Sequence, residues 1–159
     1  MSAILKEPNL IIRKMREQDL EAVFENEKAA YTHPWTKGIL RDCLRVGYHC
    51  LVVEQGGDLI GHAVLSAAVG EAHLLNISVA PAQQRRGIGR RLLRRMLRIA
   101  GEQGADTVFL EVRVSNAPAQ YLYQSEGFCE LGRRSDYYPH DKDGREDAVI
   151  YAKPLMQGG

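Results

Sequence analysis

The sequence has few cysteines and no long apolar run. Its three cysteines (Cys43, Cys50 and Cys129) form no CxxC pair, so they indicate neither a disulfide framework nor a zinc motif. We expect them to be buried, reduced thiols that pack as small apolar residues. No segment approaches the roughly 20 apolar residues that a membrane-spanning helix needs. The first residues, which include Lys6 and Glu7, lack the apolar segment of a signal peptide. These absences predict a cytoplasmic protein without a membrane partner.

The sequence also lacks an excess of charge of either sign. Its 21 Lys and Arg residues balance 20 Asp and Glu residues, which leaves a net charge of +1. The five histidines are scattered without HExxH spacing, so we expect no metal site. The length of 159 residues, 45% of them hydrophobic and 26% charged, is typical of a single soluble domain. We therefore expect one domain over residues 1–159, with the last few residues forming a flexible tail.

Hydrophobic periodicity predicts seven strands and four helices. The strands are expected at 9–15, 49–54, 59–67, 72–79, 107–114, 128–138 and 146–153, and 49–67 reads as a hairpin. The helices are expected after the caps Asp19 and Thr36, from Ile88, and after Asn116. In the second helix, Ile39, Leu40, Cys43 and Leu44 are expected to point inward. This order predicts an α+β domain, in which a mixed sheet of about seven strands carries helices on both faces.

The segment Val79–Arg91 (VAPAQQRRGIGRR) combines a strand end, a glycine-containing loop and a helix start. Gly87 and Gly89 allow the backbone to turn sharply and to approach a ligand closely. The loop amides would then point outward at the positive end of a helix, where a phosphate binds well. The segment is neither a dinucleotide-binding fingerprint nor a P-loop, because the required spacing is absent. A tight turn followed by a solvated basic helix face is the alternative.

The run Gln84-Arg85-Arg86-Gly87-Ile88-Gly89 resembles the Q/R-x-x-G-x-G/A signature of the GCN5-related N-acetyltransferases (GNAT), whose loop holds the pyrophosphate of acetyl-CoA. The order of predicted elements is similar over essentially the whole chain. The resemblance implies the GNAT fold, with a mostly antiparallel central sheet, and acetyl-CoA as acetyl donor. The cofactor contacts that it implies are Ile77, Ser78, Val79, Arg85, Arg86, Gly87, Ile88, Gly89, Arg90 and Asn116.

Further stretches are similar to those family members that acetylate the N-terminal alanine of a small-subunit ribosomal protein. They are Pro34-Trp35, 76–79, 110–113 with Ser115-Asn116, 137–139 and 146–148. The resemblance implies that the partner is the N-terminus of a ribosomal protein or another peptide. It places Tyr31, Pro34, Trp35, Tyr137 and Tyr138 in the peptide groove. Trp35 considered alone is equally consistent with a hydrophobic plug. Glu146 and Asp147 would lie near enough to attract a basic side chain at the second position of the peptide.

Two residues are candidates for acid–base chemistry. Glu111 is the only acidic residue inside an otherwise apolar strand, and alternation places it on the same face as Arg113. The residues alone leave open a solvent-facing carboxylate or an ion pair with Arg113, whereas the resemblance implies a general base. Tyr123 at helical spacing is typical of a core residue. The resemblance implies that it is the general acid that protonates the departing thiolate.

Three alternative functions remain open at this stage. The acceptor amine could belong to a lysine side chain, a free amino acid or a polyamine, because the fold and Glu111 suit these reactions equally well. The domain could also bind acyl-CoA as a non-catalytic regulatory module. Seven of the 15 arginines lie between Arg85 and Arg98, which would suit a nucleic-acid surface. That stretch contains no aromatic residue, so we expect no specific nucleic-acid partner.

Overall fold

The computed structural model describes residues 9–140 and 144–155. The predicted strands and helices are present, with ends that shift by a few residues. They are β1 (Leu10–Lys14), α1 (Leu20–Ala30), α2 (Lys37–Arg45), β2 (His49–Gln55), β3 (Asp58–Ala67), β4 (Gly70–Val79), α3 (Ile88–Glu102), β5 (Ala105–Arg113), α4 (Ala117–Ser125), β6 (Cys129–Pro139) and β7 (Arg145–Pro154). The expected C-terminal tail and the first residues lie outside the described ranges.

The seven strands form one sheet in the order β1-β2-β3-β4-β5-β7-β6. The pair β4–β5 is parallel, and every other neighbouring pair is antiparallel. The parallel pair requires a crossover connection, which α3 supplies. The predicted mixed, mostly antiparallel sheet is thus confirmed. No helix within the described ranges is both long and apolar enough to cross a membrane.

Each face of the sheet carries its own apolar core, so the helices lie on both faces as predicted. The larger core joins the sheet to α3 and α4, and α3 buries there a stripe made of Ile88, Leu92, Leu93, Met96 and Ala100. The smaller core joins the other face to α1 and α2 and includes Leu20, Val23, Leu40, Cys43 and Val64. The helical period of the apolar residues in the sequence decides which side of each helix is buried.

Four details test the sequence predictions for α2 and for the cysteines. Thr36 caps α2 as expected, because its hydroxyl accepts the amide of Ile39 over 3.1 Å. The prediction that Ile39 points inward is wrong: the residue is 44% exposed, because it lies on the solvent side of the first turn. Burial raises the pKa of the Cys50 thiol to about 12, in keeping with an inert core cysteine. The same expectation is wrong for Cys129, which is exposed at the start of β6.

A β-bulge in β4 changes which side chains of this strand face the inside of the fold. On β3, Val64 and Leu65 are consecutive, but their partners on β4 are Asn76 and Leu74, so Leu75 is an extra residue. An extra residue reverses the alternation of side chains that follow it. Leu74 therefore packs in the larger core, whereas Asn76 points to α1 and bonds to a side chain there. The bulge turns a row of polar side chains towards the inside of the fold.

An ion cluster ties the start of α1 to the first two strands. Arg13 on β1 donates two bonds of 2.8 Å to the carboxylate of Asp19 and one of 2.8 Å to Glu54. Asp19 also accepts the amide of Arg16 over 2.7 Å. Asp19 thus precedes α1 as predicted, but its side chain bonds to Arg13 and Arg16 and forms no cap bond to the helix. Arg13 also binds Glu54 on β2, and this contact between strands cannot be read from the local sequence pattern of a helix cap.

We expect Asp19→Asn to lower the free energy of unfolding by about 1.5–3 kcal/mol at pH 7, because charged hydrogen bonds are lost. Hydrogen bonds from Arg13 hold the pKa of Asp19 below its ordinary value, even though burial opposes this. A depressed folded-state pKa stabilises the fold above the unfolded-state pKa of about 3.9 and stops doing so as the pH falls through the folded value. Urea unfolding between pH 7 and pH 3 should therefore show the mutational difference shrinking towards acid.

Glu17→Gln is the matched control, because Glu17 lies in the same short turn but forms an exposed ion pair with Arg45. Exposed pairs contribute about 0–1 kcal/mol, so this variant should unfold almost as the parent does. Equal destabilisation by the two substitutions, or a difference for Asp19→Asn that does not change with pH, would contradict the assignment.

Candidate active site

Strands β4 and β5 separate in their second halves. Their parallel pairing ends at Leu74 and Leu110, immediately before the bulge residue Leu75. Beyond it, β4 continues to Val79 paired only with β3, and β5 continues to Arg113 paired only with β7. A gap therefore opens between two neighbouring strands of one sheet. It lies where a ligand can reach backbone groups that would otherwise pair across the sheet.

The β4 side of the gap presents backbone groups of Ile77 and Val79. The carbonyl of Ile77 accepts a hydrogen bond from the hydroxyl of Tyr31, so it points away from β3. The N–H and C=O of one strand residue point to the same side, and those of the second residue along repeat that direction. The amides of Ile77 and Val79 therefore face the gap. Ser78, between them, turns its buried side chain towards α1, where it lies 3.4 Å from the amide nitrogen of Asn26.

At the end of β4, the loop before α3 forms a cradle of amides. Gly87 occupies the N-cap position with φ of +77°, and an added Cβ would meet nothing within 4 Å. Arg85 also has a positive φ of 67°, which is strained for a residue with a side chain. Helical bonding begins where the amide of Arg91 donates to Gly87 over 3.1 Å. The amides of the first turn, including that of Gly89, therefore have no acceptor within the helix. This open, positively polarised end fits a phosphate group.

The arginine side chains of this loop already have polar neighbours. Arg86 donates to Gln55 over 3.0 Å and also bonds to Gln83. Arg90 bonds to Glu126 at the end of α4, and Ser125 lies 2.9 Å from the same guanidinium nitrogen. Arg90 thus fastens α3 to α4. Its expected contact with a phosphate therefore falls on its backbone amide more than on its side chain.

Asn116 stands where the chain leaves β5 and enters α4. Its side-chain oxygen caps the helix by accepting the amide of Ala119 over 3.2 Å, which is the structural role that its sequence position suggests. The cap involves only the side-chain oxygen, so the side-chain NH2 group takes no part in it. Asn116 also lines the cavity described below. A cap and a ligand contact are therefore compatible in one residue.

Glu111 lies on β5 one residue beyond the last pairing with β4. The alternation predicted for this strand is confirmed, since Leu110 and Val112 are buried on the opposite face. Glu111 accepts a hydrogen bond from Tyr137, which raises the pKa of that tyrosine. Arg134 on β6 holds the carboxylate from the other side, with Nε and Oε1 separated by 3.2 Å. The ion pair that the sequence left open is thus made with Arg134.

Tyr123 projects from α4 into the larger core beside the gap. It is 5% exposed and packs against Phe128 and Tyr151, with ring centroids separated by 5.7 and 6.3 Å. Burial, and to a lesser degree the charge of Tyr138, raises the pKa of Tyr123 far above its ordinary value. The hydroxyl is therefore protonated near neutral pH and is a weaker acid than that of an exposed tyrosine.

Three other tyrosines, Tyr31, Tyr137 and Tyr138, lie near the same region. Burial raises the pKa of Tyr31, and the neighbouring phenol of Tyr123 adds to the effect. Burial and the nearby Glu111 raise the pKa of Tyr138 to about 12. The rings of Tyr137 and Tyr138 meet edge to face at 4.9 Å, and Arg113 lies 4.5 Å from the ring centre of Tyr138. The hydroxyl groups of Tyr31 and Tyr138 are therefore neutral near neutral pH.

A cavity of about 330 Å³ opens at the carboxyl end of β5. Its walls come from the α1–α2 loop, the β5–α4 turn and the ends of β6 and β7, and the lining residues are Ala30, Tyr31, Thr32, His33, Arg113, Ser115, Asn116, His140 and Glu146. Glu146 accepts the amide of Ser115 over 2.8 Å and lies 3.2 Å from Arg113. Burial opposes the charge of Glu146, yet these bonds lower its pKa. The carboxylate expected to attract a peptide side chain is thus already paired inside the protein.

The remaining predicted groove residues, Pro34 and Trp35, are half-buried in the α1–α2 loop. The side chain of Trp35 packs against the smaller core, as the hydrophobic-plug alternative proposes. Its amide donates to Glu27 over 2.9 Å. Trp35 thereby fixes the loop whose neighbouring residues, Tyr31 and His33, line the cavity.

Glu27 is a functional residue that the sequence analysis did not identify. It is 1% exposed, and its Oε1 atom lies 3.0 Å from both Asn76 Nδ2 and His62 Nε2. His62 in turn lies 2.9 Å from Asn26 on the same helix. The network therefore connects α1, β3, β4 and the α1–α2 loop. Asn26 and Glu27 occupy positions of α1 that face the core, and two polar residues there indicate a buried polar network. The bulge that brings Asn76 to Glu27 is not visible in the sequence.

We expect Glu27→Gln to lower the free energy of unfolding by about 1–3 kcal/mol. In the variant an NH2 group replaces one carboxylate oxygen, so a neighbouring donor loses its acceptor. The loop that carries Trp35 should loosen first. The remaining oxygen of the glutamine best keeps the two bonds of Oε1, which leaves the NH2 group facing the amide of Trp35. Trp35 is the only tryptophan of the chain, so its fluorescence reports this loop directly. A shift of emission to longer wavelength under native conditions is the expected result.

Glu25→Gln on the same helix is the control for this prediction, because Glu25 forms an exposed pair with Lys28. It should leave both the emission and the stability unchanged. Unaltered emission and stability in Glu27→Gln would show that the network neither holds the loop nor stabilises the fold.

Comparisons with known proteins agree with this geometry. Residues 11–128 match the model of the acetyltransferase (GNAT) family. The chain is 38% identical over 144 residues to the [ribosomal protein bS18]-alanine N-acetyltransferase of Escherichia coli strain K12, which covers 91% of this chain and 97% of that protein. It is 37% identical to the enzyme of the same description from Haemophilus influenzae, which covers 89% of this chain and 97% of that protein.

The fold comparison points to the same group of proteins. The crystal structure of the ribosomal-protein-S18-alanine N-acetyltransferase from Escherichia coli superposes with a TM-score of 0.87 at 37% identity. The match covers 95% of this chain and 97% of that chain. A family match over most of the chain and an identity above 30% over nearly the full length of the relatives agree with the gap, the amide cradle and Glu111. The chain belongs to the acetyltransferase (GNAT) family.

Proposed function

We propose that this protein is an acetyl-CoA-dependent Nα-acetyltransferase that modifies the N-terminal alanine of ribosomal protein bS18. The observation that carries the proposal is the position of Glu111, a half-buried carboxylate where β4 and β5 separate. It lies two residues before Arg113, which is on the same face of β5 and lines the cavity. The likeness to bS18-alanine N-acetyltransferases supports the choice of substrate. The acetyl donor is acetyl-CoA, in agreement with the sequence prediction.

The chain offers two sets of groups to hold the donor. The amide cradle at Gly87 and the first turn of α3 suits the pyrophosphate, because helix-end amides stabilise negative charge. The gap-facing amides of Ile77 and Val79 suit the remaining polar groups and the acetyl carbonyl. When bound, acetyl-CoA supplies the acetyl group as a thioester, and its transfer to an amine releases a free thiol. No cysteine is needed as a nucleophile, because the amine attacks the thioester directly. Cys43 and Cys50 are buried, and the exposed Cys129 lies at the start of β6, whereas the cavity-lining His140 follows the other end of that strand.

Glu111 acts in this proposal as the general base. An N-terminal amine has a pKa of about 7.7–8.0, so much of it carries an extra proton near neutral pH. Glu111 accepts a proton from that amine, directly or through water, as the nitrogen becomes acylated. Arg134 and the hydroxyl of Tyr137 hold the carboxylate in place. A lysine amine, at about 10.4, is harder to deprotonate, which favours an N-terminal acceptor.

Tyr123 acts as the general acid. Its hydroxyl donates a proton to the departing thiolate, which needs only modest help to leave because a free thiol has a pKa of about 8.5. The raised pKa of Tyr123 keeps the donor form fully populated, although it lowers the driving force for the transfer. Tyr31 and Tyr138 contribute further neutral hydroxyl groups around the reaction, and Tyr31 also ties the peptide-side loop to β4.

The substrate is tested with two short peptides and acetyl-CoA, with the products read by mass spectrometry. One peptide begins with a free alanine, and the other has a blocked N-terminus and contains a lysine. We expect acetylation of the first peptide only, together with stoichiometric release of the thiol. Acetylation of the lysine peptide alone would replace this proposal with a side-chain acetyltransferase. Binding of acetyl-CoA without either product would indicate a different amine or a regulatory module.

The acid–base roles are tested with Glu111→Gln and Tyr123→Phe. We expect Glu111→Gln to lower kcat/KM by about 100-fold or more, since general-base catalysis typically contributes that much. The loss should be largest at low pH, where the amine is most protonated. Tyr123→Phe should lower kcat while the Kd for acetyl-CoA, measured by calorimetry, stays nearly constant.

Matched controls exist for both variants. Glu130→Gln removes an exposed carboxylate on β6, and Tyr121→Phe changes an exposed tyrosine of α4 that is 72% accessible. Both should retain the parent's kinetics. Normal turnover in Glu111→Gln and in Tyr123→Phe would refute the assignment of the base and the acid.

We also infer that the protein acts in the cytoplasm, where ribosomal proteins are synthesised. The support for this location is the description of the relatives as modifiers of a ribosomal protein. Fractionation of cells that express a tagged chain tests it, with recovery in the membrane or periplasmic fraction as the contrary result.

A further inference from the structure

A second concavity, of about 230 Å³, lies between β1 and the exposed side of α3. Its lining consists of Ile12 and four arginines: Arg91, Arg94, Arg95 and Arg98. We call this concavity the arginine groove. It shares no lining residue with the cavity at the end of β5. The proposed acetyl transfer makes no use of it.

The charges of the arginine groove are largely unneutralised. Arg94 pairs with Glu126, with Nε and Oε1 separated by 2.7 Å. Among residues 9–140 and 144–155, no carboxylate pairs with Arg91, Arg95 or Arg98. Most other arginines of the chain have such a partner, namely Arg13, Arg16, Arg45, Arg90, Arg113, Arg133 and Arg134. The groove is therefore a local exception in a chain whose net charge is +1.

The spacing of these arginines produces repulsion within the helix. Arg91 and Arg95 are four residues apart, as are Arg94 and Arg98, so each pair lies on one side of α3. Like charges at this spacing destabilise a helix by a few tenths of a kcal/mol per pair. The positions from 91 to 98 span about 10 Å along the axis. A bound polyanion with charges at short intervals would remove this repulsion and match the length of the groove.

We propose that the arginine groove binds the phosphate backbone of RNA, without sequence preference. The planar guanidinium group bonds to phosphate oxygens through two parallel N–H donors, which makes arginine well suited to this contact. In the part of the chain that the structure describes, no aromatic side chain lines the groove for base stacking, so contacts fall on the RNA backbone. A membrane surface would require exposed apolar groups beside the basic ones, whereas Ile12 is the single apolar residue that lines the groove within residues 9–140 and 144–155.

The role of this surface rests on the proposed function, because a ribosomal-protein substrate is surrounded by RNA. Electrostatic attachment to nearby RNA raises the local concentration of the enzyme at the N-terminus that it modifies. The amide cradle begins at Gly87, one turn before Arg91, and faces the gap between β4 and β5. Because the groove and the cavity at the end of β5 have no lining residue in common, RNA and the peptide do not compete for the same side chains.

The test measures binding of a fluorescein-labelled oligouridine strand of about 20 nucleotides by anisotropy at salt concentrations from about 50 to 200 mM. The variant carries Arg91→Gln, Arg95→Gln and Arg98→Gln together. We expect the slope of log K against log salt to fall in magnitude by about 2, because each contact with a single strand contributes about 0.7. The affinity at the lowest salt should fall about tenfold or more.

The control variant carries Lys28→Gln, Arg45→Gln and Arg133→Gln, which remove the same number of charges from exposed sites outside the groove. It should bind RNA almost as the parent does. Wild-type affinity in the groove variant, or an equal loss in the control, would overturn the proposal. Stronger binding of the parent to poly-glutamate or to vesicles of anionic lipid than to RNA would overturn it as well, in favour of an acidic protein or a membrane.

The same preparations are assayed for acetylation of the alanine peptide. The groove variant should retain the parent's kcat and KM for the free peptide, which also shows that it is folded. Its kcat/KM towards small ribosomal subunits that carry unacetylated bS18 should fall, whereas the control variant should keep its rate. Failure of the parent to acetylate the peptide would contradict the proposed function alone, because RNA binding is measured independently. An unchanged rate on subunits would contradict the role assigned to the groove.

Discussion

The separation of β4 from β5 is the constraint on which the rest of the site depends. A sheet normally pairs every interior backbone group, and such groups are costly to leave unpaired. Here the extra residue Leu75 diverts β4 after Leu74, and the amides of Ile77 and Val79 become available to a ligand. The helix that follows starts with a second set of unpaired amides at Gly87. Both sets suit an elongated, polar, phosphorylated donor such as acetyl-CoA.

The gap must be held open, and polar contacts on both sides do so. Tyr31 ties the peptide-side loop to the carbonyl of Ile77, and Glu27 ties the same loop to Asn76 through the amide of Trp35. On the far side, Gln120 accepts the hydroxyl of Tyr151 over 3.0 Å and so joins α4 to β7. Buried polar groups are stabilising only when they are bonded, so this network defines one arrangement of the loops.

The charged side chains have three different roles, although the chain is nearly neutral overall. Carboxylates in the catalytic region, such as Glu111 and Glu146, are each held by an arginine and placed towards the peptide side. Arg13 and Arg90 bind carboxylates to join elements of the fold. Arg91, Arg95 and Arg98 in the groove are left for an external anion. Net charge alone therefore says little about the partners of this protein.

The sequence by itself determined the order of elements, the faces of the helices and the family. Periodicity decides which side of α3 is buried, and the run from Gln84 to Gly89 carries the donor signature, because these are local properties of the chain. Tertiary structure decided that Glu111 pairs with Arg134 and that Asp19 binds Arg13. It also decided the exposure of Ile39 and Cys129 and the hydrogen-bond network around Glu27. Each of these depends on contacts between residues far apart in sequence. The bulge at Leu75 reverses the facing of Asn76 and Ser78, and such a one-residue shift leaves no periodic signal from which it could have been predicted.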